Sequence, residues 1–320
     1  MSFSYPGRLK CDHGKYVNFS VLLKSGETDL IFSSFQWSLD AMKSFSLSSF
    51  LSRPPPTLTS RKVPLKAVST TFLDPTITSM FTQALLINGV LSIALKFSKQ
   101  KSLSPEGLIH ATILGIGLWT FLSIQGWGLC VLYLVLGSLA TKVKMQEKAK
   151  LGIAEKREGA RGPENVWGSA AVAMICALLT YVYPTQASML KIGFVASLAT
   201  KLSDTLGSEI GKAYGKTTYL ITTLKKVPRG TEGAVSLEGT LAGIIGSVLF
   251  SFVALATGLL TSLHDVGACV VAAFIATTAE SYVGATFQDN VPWLTNELVN
   301  LLNTLIGAMA AVIIAQYLPV

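Results

Sequence analysis

Carboxylate, hydroxyl and ammonium groups are concentrated in the segment KLSDTLGSEIGK, which begins at Lys201. Helical spacing places Asp204 and Ser208 on one face, with Glu209 and Lys212 on the flank beside it. Because hard cations prefer oxygen ligands, we expect Asp204 and Glu209 to be able to hold a divalent cation, Mg²⁺. The alternative is a charged helix end with internal ion pairs, Lys201 with Asp204 and Glu209 with Lys212. The spacing favours neither interpretation.

A second cluster, KKVPRGTEGAVSLEGTLAG, combines cations, glycines and acids over residues 225–243. Glycines free the backbone to approach a ligand, and backbone N–H groups at the start of a helix form an anion site. The segment therefore predicts a phosphate-binding loop. Its predicted phosphate binders are Lys225, Lys226, Arg229, Gly230 and Gly233. Glu232 and Glu238 either complete a metal site or cap the start of the helix.

The third cluster contains a single acid, Glu280, in an otherwise apolar segment, followed after a turn by Asn296, Asn300 and Asn303. Ionisable groups within membrane helices are costly, so each suggests a function. The amide spacing of i, i+4 and i+7 is also that of hydrogen bonds between helices, which is the alternative interpretation. The candidate catalytic carboxylates are Asp204, Glu209 and Glu280. The supporting polar residues are Ser208, Lys212, Glu232, Glu238, Asn296 and Asn300.

The elements that must position these residues are membrane-spanning helices. The chain has 320 residues, 50 % hydrophobic and 14 % charged, and its mean hydropathy is +0.50. Soluble domains carry about 25 % charged residues, so these values predict an all-α, polytopic transmembrane helix bundle. Four scattered cysteines exclude a disulfide scaffold and a thiolate metal site.

Hydropathy indicates about seven or eight spans of the length that a bilayer requires. They lie near residues 76–96, 106–123, 127–142, 167–184, 187–204, 239–262, 266–286 and 295–317. Only Gln125, Gly126 and Trp127 separate the second span from the third, so these two form either a tight hairpin or a re-entrant pair. Long basic loops alternate with short, nearly uncharged ones, which places the basic loops on one face, the stromal or cytoplasmic side.

The N-terminal region differs from the rest of the chain in composition. No Asp or Glu occurs from Ala41 to Leu73, whereas Ser and Thr are abundant and basic residues are scattered. Such composition is typical of an organelle transit peptide, and the alternative is a disordered polar tail. We therefore expect residues 42–73 to be a transit peptide to the chloroplast and residues 1–41 to be an upstream extension.

Four strings carry a resemblance to a known family: GPENVWGSAAVA at residues 162–173, SDTLGSEIGKAYGKTTYLITTLKKVPRGTEGAVSLEGTLAG, ESYVGATFQD and WLTNELVN. With them the chain resembles the phytyl-phosphate kinases of plastids and their uncharacterised transmembrane relatives, over most of its length after about residue 75. The resemblance implies that residues 74–320 form an integral membrane kinase domain. It implies phosphoryl transfer from a nucleoside triphosphate, with CTP as the expected donor, to phytyl phosphate. The product is phytyl diphosphate, for tocopherol and prenylquinone synthesis.

The residues themselves are compatible with that chemistry, because phosphoryl transfer depends on positioning and charge neutralisation, usually with Mg²⁺. The expected cofactor is Mg²⁺, and the expected partners are an isoprenoid phosphate, a nucleotide and membrane lipid, with no nucleic acid. Two other functions stay open. A transporter of an anionic or isoprenoid substrate also uses intramembrane polar residues, and a lipid-phosphate cytidylyltransferase would release diphosphate instead.

Overall fold

The computed structural model describes residues 16–18, 36–38, 75–97, 102–155, 159–288, 291 and 293–317. The chain divides into two units, residues 1–65 and residues 66–320. In the first, strand β1 (Tyr16–Asn18) pairs antiparallel with strand β2 (Gln36–Ser38). Apart from these two strands, the predicted upstream extension and transit peptide lie outside the described residues.

The second unit is built from helices, which confirms the predicted all-α membrane bundle. They are α1 (Pro75–Lys96), α2 (Pro105–Lys142), α3 (Met145–Lys150), α4 (Pro163–Val182), α5 (Ala187–Tyr214), α6 (Leu237–Ala256), α7 (Leu263–Val283) and α8 (Asn296–Tyr317). A π-helical turn, Gly284–Gln288, extends α7. Within the described part of the chain, α1, α2, α4, α6, α7 and α8 are long and apolar enough to cross a membrane.

Helix α2 is a tight hairpin of two antiparallel arms rather than one straight rod. Ser123, with φ 56° and ψ −162°, breaks the helical backbone. The indole N–H of Trp127 donates to Asn88 Oδ1 at 3.0 Å, and a Cβ added to Gly115 would touch both of these side chains. In a straight helix, residues 115 and 127 would lie about 18 Å apart. The chain therefore reverses direction near Ser123, as both alternatives of the sequence analysis require.

Helix α5 lies at the centre of the bundle. It packs against α4, α6, α7 and α8, and residues 192–203 form a continuous buried run. The predicted span 187–204 was too short, because the helix continues to Tyr214 through its charged segment. A Cβ on Gly239 would lie 2.3 Å from the carbonyl oxygen of Gly207, so this glycine permits close packing of α6 on α5 rather than ligand binding.

The connection between α5 and α6 folds into a small antiparallel sheet that the sequence analysis did not anticipate. Its strands are β3 (Thr218–Leu220), β4 (Lys226–Val227) and β5 (Ala234–Ser236), in the order β4-β3-β5. Strand β5 leads directly into α6, where the Ser236 hydroxyl accepts a hydrogen bond of 3.1 Å from Gly239 N–H. This side-chain cap fixes the start of α6.

The basic connections meet at one end of the bundle, as the charge pattern predicts. Leu103 and Arg161 form a β-bridge between the segments that precede α2 and α4. Lys212, near the end of α5, lies 3.9 Å (Nζ to Oε1) from Glu155 in the connection between α3 and α4. We call this end, at which α2 ends and α6 begins, the basic face.

We expect cysteines placed at Lys150 and Lys216 to react from the same side of the membrane, because both residues are exposed at the basic face. A cysteine at Thr257, which is exposed between α6 and α7 at the other end, should react only from the opposite side. Labelling of sealed vesicles with an impermeant maleimide, in a chain without native cysteines, measures this. Labelling of positions 150 and 216 from different sides would contradict the arrangement of helices.

Candidate functional site

A polar cavity of about 410 Å³ lies beneath the basic face. Helices α2, α4, α5, α7 and α8 line it, together with the connection between α3 and α4. Its charged lining residues are Glu155, Arg161, Lys201, Asp204, Glu209, Lys212, Glu232, Glu280 and Glu297. The cavity thus brings together the first and third sequence clusters.

A second cavity, of about 370 Å³, lies between α5, α6, α7 and the small sheet, and we call it the amphipathic cavity. Apolar side chains such as Ile244 and Phe274 line it together with threonines and serines. It shares a wall with the polar cavity. That shared wall consists of Asp204, Ser208, Lys212, Gly230, Glu232, Glu280 and Gln288.

Two carboxyl groups from different helices meet in the shared wall. Asp204 of α5 and Glu280 of α7 both line the two cavities and lie close enough to interact electrostatically. The ammonium group of Lys201 donates to Asp204 Oδ2 at 2.5 Å and to Asn300 Oδ1 at 2.6 Å, and Asn303 donates to Glu280 Oε2. Two neighbouring carboxylates repel each other unless a cation lies between or beside them, so the pair can attract a cation.

Glu209 makes a separate set of contacts. It forms an ion pair with Lys148 of α3, and both residues are only 1 % exposed. Lys212 Nζ lies 3.6 Å from the other carboxylate oxygen. Residues five apart on a helix differ by about 140° in direction, so Asp204 and Glu209 do not converge. The structure instead forms the two internal pairs of the alternative interpretation, and Mg²⁺ binding by Asp204 with Glu209 stays a prediction that this geometry does not favour.

The three cations of the predicted phosphate loop line neither cavity, although its glycines Gly230 and Gly233 do line the amphipathic one. Lys225 and Lys226 are exposed on the small sheet and line neither cavity. Arg229 donates to the carbonyl oxygens of Lys212 and Ala213 at 3.5 Å, so it binds the C-terminal end of α5. These cations are therefore not positioned as a phosphate site in the described structure.

The glycines and acids of the same loop have packing and hydrogen-bonding roles. Gly233 has φ +69°, and a Cβ there would lie 2.4 Å from Ala285 Cβ, so glycine lets the loop approach the π-helical turn. Glu238 accepts a hydrogen bond from the Lys216 backbone N–H at 3.3 Å, so it ties the start of α6 to the connection that follows α5, whereas the side-chain cap of α6 is Ser236. Glu232 and Gly230 belong to the shared wall.

The amide stripe forms hydrogen bonds between helices, as its alternative interpretation required. Asn300 and Asn303 bind Lys201 and Glu280, as described above, and Asn296 accepts from Gln288. Because two of these partners belong to the carboxyl pair and its cation, the stripe also positions the charged centre. Asn300 and Asn303 therefore both join the helices by hydrogen bonds and position the charged residues of the site.

Sequence reasoning missed Arg161, which lines the polar cavity, its aromatic partner Tyr133, and Lys148, which contacts the cavity residue Glu209. Arg161 donates to the Tyr133 hydroxyl at 2.6 Å and lies 5.0 Å from the centre of that ring. Lys148 is buried against Glu209 and donates to the Thr141 carbonyl oxygen at 2.7 Å. Both cations lie in a long basic loop, and no spacing rule distinguishes them from its exposed lysines.

The carboxyl pair fits a divalent cation only if a substrate contributes ligands. Among the residues that the structure describes, no three His, Cys, Asp or Glu side chains converge on one point. Mg²⁺ is usually held by one or two carboxylates together with substrate phosphates and water. Asp204 and Glu280 fit that pattern, because they form a pair of carboxyl groups that lines both cavities.

A bundle of long apolar helices that buries acids, amides and lysines beneath one face defines a polytopic integral membrane protein with a polar intramembrane site. The family model described as "Integral membrane protein DUF92" matches residues 88–308. The chain belongs to this family. The matched range contains the carboxyl pair and the whole shared wall.

Three relatives illustrate how widely the sequence pattern occurs. The chain is 48 % identical to an uncharacterized membrane protein of Synechocystis over 230 residues, which cover 72 % of this chain and 89 % of that protein. It is 46 % identical over 221 residues to "Protein VTE6, chloroplastic" of Arabidopsis thaliana, and the match covers 68 % of this chain and 66 % of that protein. An uncharacterized membrane protein of Methanocaldococcus jannaschii is 33 % identical over 224 residues, which cover 69 % of this chain and 90 % of that protein. No solved structure matches the chain.

Proposed function

We propose that this protein is a kinase of a chloroplast membrane that transfers a phosphoryl group from a nucleoside triphosphate to phytyl phosphate. CTP is the expected donor, and the product is phytyl diphosphate for tocopherol and prenylquinone synthesis. The observation that carries the proposal is the meeting of two cavities at Asp204 and Glu280. The resemblance to plastid phytyl-phosphate kinases and the similarity to a relative whose name includes "chloroplastic" support it.

The shared wall suits a reaction between two phosphorylated substrates. Phosphoryl transfer requires that donor and acceptor meet in line, with their negative charge neutralised. A substrate in each cavity would present its phosphates to the same wall. Lys212 belongs to this wall, and Lys201 and Arg161 line the polar cavity, so cations are available where phosphates would accumulate. Fixed cations in a site sheltered from water stabilise transferred charge more strongly than in solution.

Asp204 and Glu280 would hold Mg²⁺ jointly with substrate phosphates. These two residues would supply the protein's oxygen ligands, and a divalent cation held there would neutralise phosphate charge. Lys201 keeps Asp204 in place, and Asn303 does the same for Glu280, so the two carboxyl groups are positioned before substrate arrives. Both groups are partly buried among helices, which limits the access of water that would otherwise compete with the acceptor.

The proposal is tested by incubating the purified protein in detergent with phytyl phosphate, labelled CTP and Mg²⁺. We expect CDP and phytyl diphosphate in equal amounts. Formation of a CDP-lipid with release of diphosphate would identify a cytidylyltransferase instead. Absence of any chemistry, combined with uptake of phytyl phosphate into proteoliposomes, would identify a transporter and overturn the kinase proposal.

A further inference from the structure

The two cavities differ in where they open and in what lines them, and this difference assigns them to different ligands. Building on the proposed kinase function, we propose that the amphipathic cavity binds the isoprenoid chain of the acceptor, which enters sideways from the lipid between α6 and α7. The polar cavity then binds the nucleotide, which enters from the basic face.

The amphipathic cavity reaches the basic face, where Thr231 and Glu232 line it and are exposed, but it also opens on the membrane-facing side of the bundle. Phe274 and Thr278 of α7 line it and are exposed, and Thr240 and Ile244 line it from α6. At about 1.5 Å per residue, Ile244 and Phe274 lie about 10–14 Å along their helices from the basic face. This depth corresponds to the hydrocarbon region. An alkyl chain can therefore reach the opening without crossing water.

The lining of the amphipathic cavity changes from apolar to charged along its length. Ile244 and Phe274 lie at the opening between the helices, whereas Asp204, Lys212 and Glu280 form the inner wall. Hydroxyl groups, such as that of Thr277, lie between the two regions. An amphiphile with an apolar chain and an anionic head matches this gradient, because burial of the chain is favourable and the head reaches the cation of the wall.

The polar cavity opens among the connections of the basic face. Gly152, Glu155 and Asn296 line it and are exposed on the aqueous side. Arg161 and Lys201 line it further inside. A nucleoside triphosphate is water-soluble and carries several negative charges, so it matches the aqueous opening and the interior cations.

A third cavity, which is apolar and has a volume of about 80 Å³, lies between α1, the two arms of α2 and α4. It shares Tyr133, Arg161, Asn165 and Ser169 with the polar cavity, but neither Asp204 nor Glu280 lines it. It is smaller than the amphipathic cavity of about 370 Å³ and does not reach the carboxyl pair. The isoprenoid chain is therefore assigned to the amphipathic cavity, and the apolar cavity provides the competing assignment for the test.

The test compares tryptophan substitutions that fill one cavity or the other. Ile244→Trp should raise the KM for phytyl phosphate at least tenfold, while the KM for CTP and for a five-carbon isoprenyl phosphate changes less than twofold. Leu108→Trp, which fills the apolar cavity, should leave the KM for phytyl phosphate unchanged. Val271→Trp is the matched control, because Val271 is 48 % exposed on α7 and lines none of these three cavities. Melting temperatures in detergent identify any variant that fails to fold, and Thr278→Trp is then the second filling variant.

The opposite pattern, a raised KM for phytyl phosphate in Leu108→Trp but not in Ile244→Trp or Thr278→Trp, would overturn the assignment. An equal effect on long and short acceptors would overturn it as well, because chain recognition would then be absent. A photoactivatable isoprenyl phosphate tests the site without turnover. Crosslinks to α6 and α7 support the assignment even if the wild-type protein transfers no phosphoryl group, and crosslinks confined to α1 and α2 contradict it.

Discussion

The substitution Asp204→Asn should lower phosphoryl transfer roughly a thousandfold, because an ion-based stabilisation of transferred charge contributes several kcal/mol and each 1.36 kcal/mol changes the rate about tenfold. Asparagine keeps the shape of the side chain and still accepts a hydrogen bond from Lys201. It removes the negative charge that Asp204 contributes beside Glu280. We therefore expect the protein to fold normally and to lose activity.

The measurement is turnover of phytyl phosphate as a function of Mg²⁺ concentration, with the melting temperature recorded beside it. Glu280→Gln should behave like Asp204→Asn, since the two carboxyl groups act as a pair. Glu147→Gln is the matched control. Glu147 pairs with Lys144 at 3.3 Å on the surface and lines neither the polar nor the amphipathic cavity, so activity should not change. Near-normal turnover of Asp204→Asn with unchanged Mg²⁺ dependence would contradict the proposed Mg²⁺ site at Asp204 and Glu280.

The helical architecture was largely predictable from composition and hydropathy. Apolar runs of about 20 residues in a chain with few charges leave little alternative to membrane helices. The break in α2 followed from the short polar interruption near Gln125, although the residue that turns the chain is Ser123. The full length of α5 was not predictable, because a hydropathy pattern cannot show that charges beyond Asp204 are buried in pairs.

The carboxyl pair was partly predictable, for a physical reason. An acid such as Glu280 within an apolar helix is costly, so its presence indicates a role. Which groups face each other depends on how helices distant in sequence pack, and one-dimensional spacing cannot provide this. Spacing therefore paired Asp204 with Glu209 of the same helix, whereas the structure pairs it with Glu280 from another helix. No spacing pattern distinguishes Lys148, the partner of Glu209, from the other lysines of the basic loop.

The phosphate loop stays a prediction, but its cations lie away from the cavities and its glycines also have a role in a turn. Glycines next to cations are common both in anion sites and in tight turns. Here the positive φ of Gly230 (+86°) and Gly233 (+69°) serves a turn between β4 and β5. Strands of two or three residues are too short to give a periodic signal, so the sheet that carries Lys226 away from the cavities could not be expected.

The ion pair between Lys148 and Glu209 gives the largest stability effect that we expect. Lys148→Met should lower the free energy of unfolding by about 3–5 kcal/mol, because it leaves a carboxylate buried beside only the more distant Lys212.

The double variant Lys148→Met/Glu209→Leu should recover most of that loss, since an apolar pair of similar volume avoids the uncompensated charge. Unfolding by denaturant in detergent micelles measures each variant. Lys144→Met is the exposed control and should change stability by at most about 1 kcal/mol. A Lys148→Met effect as small as this control would show that the pair is hydrated in the membrane protein. A double variant less stable than Lys148→Met would show instead that Glu209 has another buried partner.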